Sequence, residues 1–318
     1  MDVTLLVCTR NRAGSLTQLL LAILELNVPA GLTWEVLVVA NACTDDTREV
    51  VKAFAERHHT PPVRLLIEPR RGVGYARKRG ITESQARLIA YMDDDCVPHR
   101  DWLAAAVDFA EQHPLAGAFG GRNTLVWEHD PSSFVLAYGA SLAGQNWGEE
   151  PRRLSDRGKA YPCGAGLVLR HDAVVASGYL DRGCLRGRRS AALGAGEDTE
   201  VQIMIRDAGW EIWYAPTLEL DHVIPSRRMQ LGYLCRLHAG FGLVEVYLRL
   251  LSERAPLTLR NRWQGLRWAF AELRAVLARF RLGFVEYKDE RPSWLIRLCY
   301  SLGCLAGAVK LLCLGRAS

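Results

Sequence analysis

Three consecutive aspartates, Asp93, Asp94 and Asp95, follow the apolar run RLIAYM at residues 87–92. Adjacent carboxylates repel one another, so something must offset them. Hard divalent cations such as Mg2+ and Mn2+ take oxygen ligands, often one or two carboxylates plus substrate phosphates. On a turn, Asp93 and Asp95 can converge while Asp94 points elsewhere, which makes the outer pair the expected cation contact and Asp94 the one that matters least directly. A solvated acidic turn is the alternative. A second acidic group lies in GAGEDTE, residues 194–200. Its glycines let the backbone approach a ligand, and Glu197 or Asp198 can act as a general base beside a substrate hydroxyl. Plain helix capping would use the same acids.

Two further groups fit phosphate or metal chemistry. His222 can complete an oxygen-rich metal site as a neutral imidazole, with Asp221 orienting its ring; a purely structural histidine is the competing reading. The stretch RRGVGYARKRG at 70–80 is glycine-rich and basic, suited to a phosphate or nucleotide at a helix start. It is not a dinucleotide fingerprint, because Arg77 stands where the third glycine would fall. The sequence contains no G-x-S-x-G, Walker A or H-E-x-x-H run, which weighs against hydrolase, P-loop and zincin chemistry.

The elements that must position these residues are legible as alternating patterns. Apolar runs at 3–8, 35–40, 63–68 and 87–92 read as strands, and the stretches 15–26, 45–58 and 73–86 between them read as helices. Ser15 is the expected N-cap of the first helix. Strands apolar throughout and separated by helices imply a mainly parallel sheet covered on both faces. Ligands of such sheets gather at the carboxyl ends of the strands, where the three aspartates fall. Further on, the patterns predict a helix at 101–112, a strand at 117–127 and a long loop at 139–160. A strand at 165–170, a helix at 197–209 and two short strands within 211–224 follow.

The composition, 49% hydrophobic and 24% charged, is that of a globular protein rather than a disordered one. The formal charge of +5 is unevenly spread: residues 223–318 carry 16 Lys and Arg against 6 Asp and Glu. Two domains are expected, a sheet domain at 1–225 and a basic helical region at 226–318. Helical segments at 231–251, 259–284 and 293–316 mix apolar and basic residues. Between Arg297 and Lys310 the uncharged run is twelve residues, short of the roughly 20 that a spanning helix needs. Such helices fit an anionic membrane surface, with peripheral attachment; packing on the core or on a second copy in a homodimer is the alternative. Nine cysteines without a C-x-x-C pair read as reduced cytosolic thiols rather than disulfides or a zinc site. The amino terminus runs into a strand without a charged leader region, so a cleaved signal is not expected.

Taken in order, six segments resemble the inverting family 2 glycosyltransferases of GT-A fold: VCTRNRAGSL (7–16), VVANACTDDT (38–47), RGVGYARKRGI (71–81), YMDDDCVPH (91–99), CGAGLVLRHDAVVASGYLD (163–181) and GEDTEVQIMIRDAGWEIWYAP (196–216). The resemblance covers about residues 3–225. It implies that Thr9, Arg12, Asn41, Asp45 and Arg77 line the nucleotide pocket, with Asp94 among the contacts of that site. Asp93 and Asp95 match the outer acids of the DxD motif, which hold ribose and a divalent metal, Mg2+ or Mn2+, with His222 assisting. Gly164 and Gly166 match the segment beside the donor sugar, and Asp198 matches the catalytic base, with Glu197 its neighbour. The implied partners are a nucleotide-sugar donor and a saccharide or lipid-linked acceptor of the cell envelope or an exopolysaccharide, with no nucleic acid. The implied location is the cytoplasm or the cytoplasmic face of the membrane. Ala40 stands where members using uridine nucleotides often carry an acid, which opens GDP- and dTDP-sugars beside UDP-sugars, ranked first. A sugar-phosphate nucleotidyltransferase and a catalytically silent nucleotide-sugar-binding scaffold remain as alternatives.

Overall fold

Strands alternate with helices through the first 93 residues. They run β1 (Val3–Thr9), α1 (Ala13–Leu24), β2 (Trp34–Asn41), α2 (Thr47–Arg57), β3 (Val63–Glu68), α3 (Val73–Glu83) and β4 (Leu88–Asp93). The computed structural model describes residues 1–154, 160–187, 195–283 and 291–313. Every residue of β2 is buried, as a strand covered on both faces requires. Helix α1 buries Leu16, Leu19, Leu20 and Ile23, one stripe at helical spacing. Ser15, expected as its cap, lies inside the helix. Arg12 holds the cap position without a side-chain cap bond, because a guanidinium only donates and cannot accept a helix N–H; it donates instead to two aspartates.

Beyond β4 the sheet becomes mixed. The three-residue strand β5 (Cys96–Pro98), which the sequence patterns did not reveal, follows the aspartates directly. After it come α4 (Trp102–Gln112), β6 (Ala116–Trp127), α5 (Ser133–Leu136), β7 (Arg152–Arg153), β8 (Val168–Arg170), α6 (His171–Ser177), α7 (Tyr179–Arg182), α8 (Glu197–Asp207) and β9 (Glu211–Ile224). The stretch expected as a loop at 139–160 holds a short 3-10 turn and β7; its residues 155–159 lie outside the described residues, as does Gly194 of the glycine run.

The strand order is β3-β2-β1-β4-β8-β6-β9-β5, with β7 also on β9. Strands β1 to β4 pair in parallel, as do β6 and β9. Strand β8 runs antiparallel to β4 and β6, and β5 and β7 run antiparallel to β9. The two strands expected in 211–224 are one strand of 14 residues. Tyr214 pairs with Gly120 and Glu219 with Arg122, so residues 215–218 lie opposite Gly121 alone. This bulge absorbs Pro216, which has no N–H for the ladder. There the backbones come so close that a Cβ on Gly121 would lie 2.0 Å from the Leu218 carbonyl oxygen.

The chain divides into two units. The first comprises residues 1–128, 139–184 and 201–224, and holds the sheet. The second comprises 129–138, 185–200 and 225–318. It contains α9 (Leu231–Ser252), α10 (Leu259–Gly283) and α11 (Arg291–Cys313); the predicted helical residues 284 and 314–316 lie outside the described residues. Glu197 and Asp198 thus group with the helical tail. Helices α9 and α11 meet backbone to backbone: a Cβ on Gly242 would lie 2.1 Å from the Tyr300 carbonyl oxygen, and one on Gly303 2.2 Å from that of Ala239. By length and composition Pro292–Cys313 is long and apolar enough to cross a membrane, although its longest uncharged run, between Arg297 and Lys310, is twelve residues.

Candidate active site

The parallel strands end at one level. Cys8 pairs with Asp93, Thr9 with Ala40, and Asn41 with Glu68, so the loops after β1, β2, β3 and β4 open on the same edge of the sheet. Asp93 is the last residue of β4, and the Asp94–Asp95 turn leads into β5.

The structure answers how three carboxylates coexist. Arg12 Nη1 donates to Asp94 Oδ1 at 2.6 Å and to Asp95 Oδ2 at 2.7 Å. Thr9 Oγ1 donates to Asp94 Oδ2 at 2.6 Å, and Arg77 Nη2 lies 3.4 Å from Asp93 Oδ1. The Arg77 guanidinium also stacks over the Tyr91 ring at 4.6 Å. Two guanidiniums therefore face three acids and leave roughly one negative charge. Asp94, expected to matter least, is the most buried of the three, with its side chain 5% exposed against 37% for Asp93. Burial pushes its pKa up to about 6, against the pull of Arg12 and with the push of Asp95. Burial disfavours the Arg12 charge too, but Asp94 and Asp95 outweigh it and raise that pKa. Asp94 thus fastens the loop after β1 to the acidic turn.

The neighbouring loops are held by the other predicted residues. Asn41 Nδ2 donates to the Arg70 and Glu68 carbonyls at 2.7 and 3.2 Å, while its Oδ1 accepts from Gly72 N at 2.9 Å. Its amide is used to shape the basic loop before α3. Asp45 accepts from Thr47 Oγ1 at 2.5 Å and from Ala13 N at 3.2 Å. These bonds hold its carboxyl below the ordinary range although burial opposes them. Asp45 therefore links the starts of α1 and α2. Gly166, at φ +76°, donates its N–H to Tyr91 O at 3.1 Å, and a Cβ there would lie 2.5 Å from Leu220 Cδ2. Asn123 and Gln145 support the adjoining segment through Ala165 O at 3.0 Å and Cys163 N at 3.1 Å, which sets Gly164 between two anchored residues.

Strand β5 explains His222. Its antiparallel pairing with β9 puts Cys96 opposite His222, and His222 Nε2 lies 3.3 Å from Asp95 Oδ1. Asp221 does not orient this ring. Successive strand residues point to opposite faces, and Asp221 instead meets His99 Nε2 at 3.4 Å. Ligand atoms of Asp95, Cys96 and His222 lie within 4.8 Å of one another. Burial, then the charges of Asp93 and Asp95, push the Cys96 thiol well above its usual pKa, so Cys96 stays a neutral neighbour. The Asp95 carboxylate suits a hard cation such as Mg2+ or Mn2+, whereas the His222 imidazole is a ligand more usual for Zn2+ or Fe2+.

The other predicted acids begin α8. Glu197 is buried and Asp198 half-buried, and Asp198 Oδ1 accepts from Thr199 N at 2.9 Å. Gly196, at φ +98°, packs against Val244 and Leu248 of α9. Glu200 went unnoticed in the sequence. It is fully buried and accepts from Tyr247 Oη at 2.6 Å and Leu185 N at 2.9 Å. An acid one turn into a helix reads as a solvated side chain until its distant partner, Tyr247, is known.

Residues 4–174 match the family described as Glycosyl transferase family 2. The succinoglycan biosynthesis protein ExoM of Rhizobium meliloti is 25% identical over 276 residues, which cover 85% of this chain and 83% of that protein. The glycosyltransferase AglE of Haloferax volcanii is 32% identical over 106 residues, but the match spans only 33% of this chain and 34% of AglE. Among solved structures, the mannosyltransferase PcManGT from Pyrobaculum calidifontis, in complex with GDP-Man and Mn2+, is similar with a TM-score of 0.59 at 21% identity, over 98% of this chain and 87% of that one. That likeness shows a GT-A fold.

Proposed function

Because this chain belongs to glycosyltransferase family 2, we propose that it transfers a sugar, with inversion, from a nucleoside diphosphate to a hydroxyl of an exopolysaccharide or cell-envelope acceptor, saccharide or lipid-linked. The observation that carries this reading is the convergence of Asp95, His222 and the Arg12-bridged acidic turn at the shared strand ends. Similarity to a protein named for succinoglycan biosynthesis supports the polymer acceptor; the cytoplasmic side, where nucleotide sugars occur, is the location that goes with this reading.

Asp93, Asp95 and His222 would hold the Mg2+ or Mn2+ ion, which supplies positive charge to the leaving diphosphate. Arg77, beside Asp93, adds a fixed cation for the nucleotide phosphates. Thr9, Arg12, Asn41 and Asp45 fix the loops that frame the nucleotide, and Gly164 and Gly166 leave room for the sugar. Asp198 takes the proton of the acceptor hydroxyl as its oxygen bonds to the anomeric carbon; the bond to the diphosphate oxygen breaks on the opposite face. Glu197 supports that carboxylate.

A thermal-shift panel of UDP, GDP, dTDP and CMP, each with and without Mn2+, tests the donor site. A metal-dependent shift with one diphosphate is expected; equal shifts with and without metal would overturn the metal assignment. Asp198→Asn should lower the transfer rate by about a hundredfold or more, the usual contribution of a general base, while leaving that shift unchanged. Undiminished transfer would remove Asp198 from the role.

A further inference from the structure

Helices α10 and α11 carry a surface that the proposed chemistry does not use. On α10, Trp263, Phe270 and Leu277 are 52%, 48% and 44% exposed. They are spaced by seven, two helical turns, so they form one apolar stripe. Arg260, Arg267 and Arg274, also exposed, repeat with the same spacing beside it; Arg267 and Arg274 follow Trp263 and Phe270 by four residues. On α11 the exposed residues are Leu295, Leu302, Ala306, Val309 and Cys313 together with the cations Arg297 and Lys310, while Ile296, Ser301, Cys304 and Ala308 are buried.

The two helices run antiparallel. Trp294 Nε1 donates to Val276 O at 3.2 Å near one end, and Arg262 Nη1 donates to Leu311 O at 3.2 Å near the other. This register sets Trp263 level with Val309, Phe270 with Leu302, and Leu277 with Leu295. The exposed apolar residues thus come in level pairs along the hairpin, bordered by a row of guanidiniums.

We infer that the α10–α11 hairpin is an interfacial membrane anchor that lies flat on an anionic phospholipid bilayer. Its Trp, Phe and Leu side chains enter the acyl boundary, and Arg260, Arg267 and Arg274 bind headgroup phosphates. An aromatic and aliphatic stripe flanked by arginines matches the layered chemistry of that boundary, apolar below and anionic above. A second copy of this chain would bring arginine rows toward one another across the interface, which charge disfavours. A membrane-spanning α11 would carry α10 with it, since the two are packed along their length, and would place those arginines at hydrocarbon depth. The inference rests on the second unit alone and is independent of the donor site.

The test is flotation of the full chain with vesicles of phosphatidylcholine alone or mixed with phosphatidylglycerol. Binding to the anionic vesicles, weakened by added NaCl, is expected for the unaltered protein and needs no variant. The triple change Arg260→Gln, Arg267→Gln, Arg274→Gln should reduce anionic binding by about a hundredfold. Trp263→Ser with Phe270→Ser should weaken binding while keeping its salt dependence. All five side chains are exposed, and circular-dichroism melts check that the fold persists. Absence of binding by the unaltered chain, or equal binding by the arginine triple variant, would overturn the inference. So would retention on membranes after alkaline carbonate, which means a spanning helix, or a lipid-free dimer that the Trp263/Phe270 variant dissociates, which assigns the face to a second copy.

Discussion

At the scale of single residues, Asp94 changes most between sequence and structure. Spacing alone makes the outer aspartates the expected cation contacts and the middle one the least direct, yet the middle one ties Thr9 and Arg12 to the acidic turn. Burial pushes its carboxyl up to about 6 from the ordinary 3.8. Between those values the folded chain holds the proton more tightly than the unfolded chain does. This group therefore contributes a loss of stability as pH rises from about 4 to about 6, and none of that slope beyond. Asp94→Asn removes the titration. Its melting temperature relative to the unaltered protein should be higher at pH 7 than at pH 4, and an identical difference at both pH values would refute the assignment. Arg12, read from the sequence as a nucleotide contact, is first of all the counter-charge that lets three adjacent acids share a turn.

At the scale of elements, two short features decide the site. The three-residue β5 exists because the chain reverses after Asp95 and pairs with β9, and this pairing alone carries His222 to Asp95. Periodicity cannot reveal so short a strand, for three residues hold no period. In the second unit, glycines set the distance between α9 and α11. Gly303→Ala would put a methyl group 2.2 Å from the Ala239 carbonyl oxygen, where backbone cannot yield. We expect a loss of about 1–3 kcal/mol, the usual range for overpacking, read as a lower midpoint in urea unfolding. A midpoint unchanged from the parent would mean that the helices separate without cost.

At the scale of the whole molecule, the proposed roles fall in different units. The residues proposed for the donor site lie in the sheet unit, whereas Glu197 and Asp198 belong to the unit built around the tail helices. Within that unit, Glu200 is held by Tyr247 of α9, so the tail helps fix the start of α8. Tyr247→Phe leaves a buried carboxylate one partner short. The expected result is a fall in kcat of about an order of magnitude, with metal-dependent binding of the nucleoside diphosphate unchanged by calorimetry. Equal losses in binding and turnover would contradict this division. The uneven charge, with the basic excess after residue 223, follows the same line.

The sequence by itself determined the sheet-and-helix order, the strand-end location of Asp93–Asp95 and the helical tail, because these rest on local periodicity and on chain order. It also carried the family signature, which needs only residue types in sequence. Tertiary structure decided the partners: Arg12 with Asp94 and Asp95, His222 with Asp95, Asn41 with the loop before α3, and Glu200 with Tyr247. Each of these pairs joins residues about 30 to 130 positions apart. Their meeting depends on strand order and register, which no local pattern encodes.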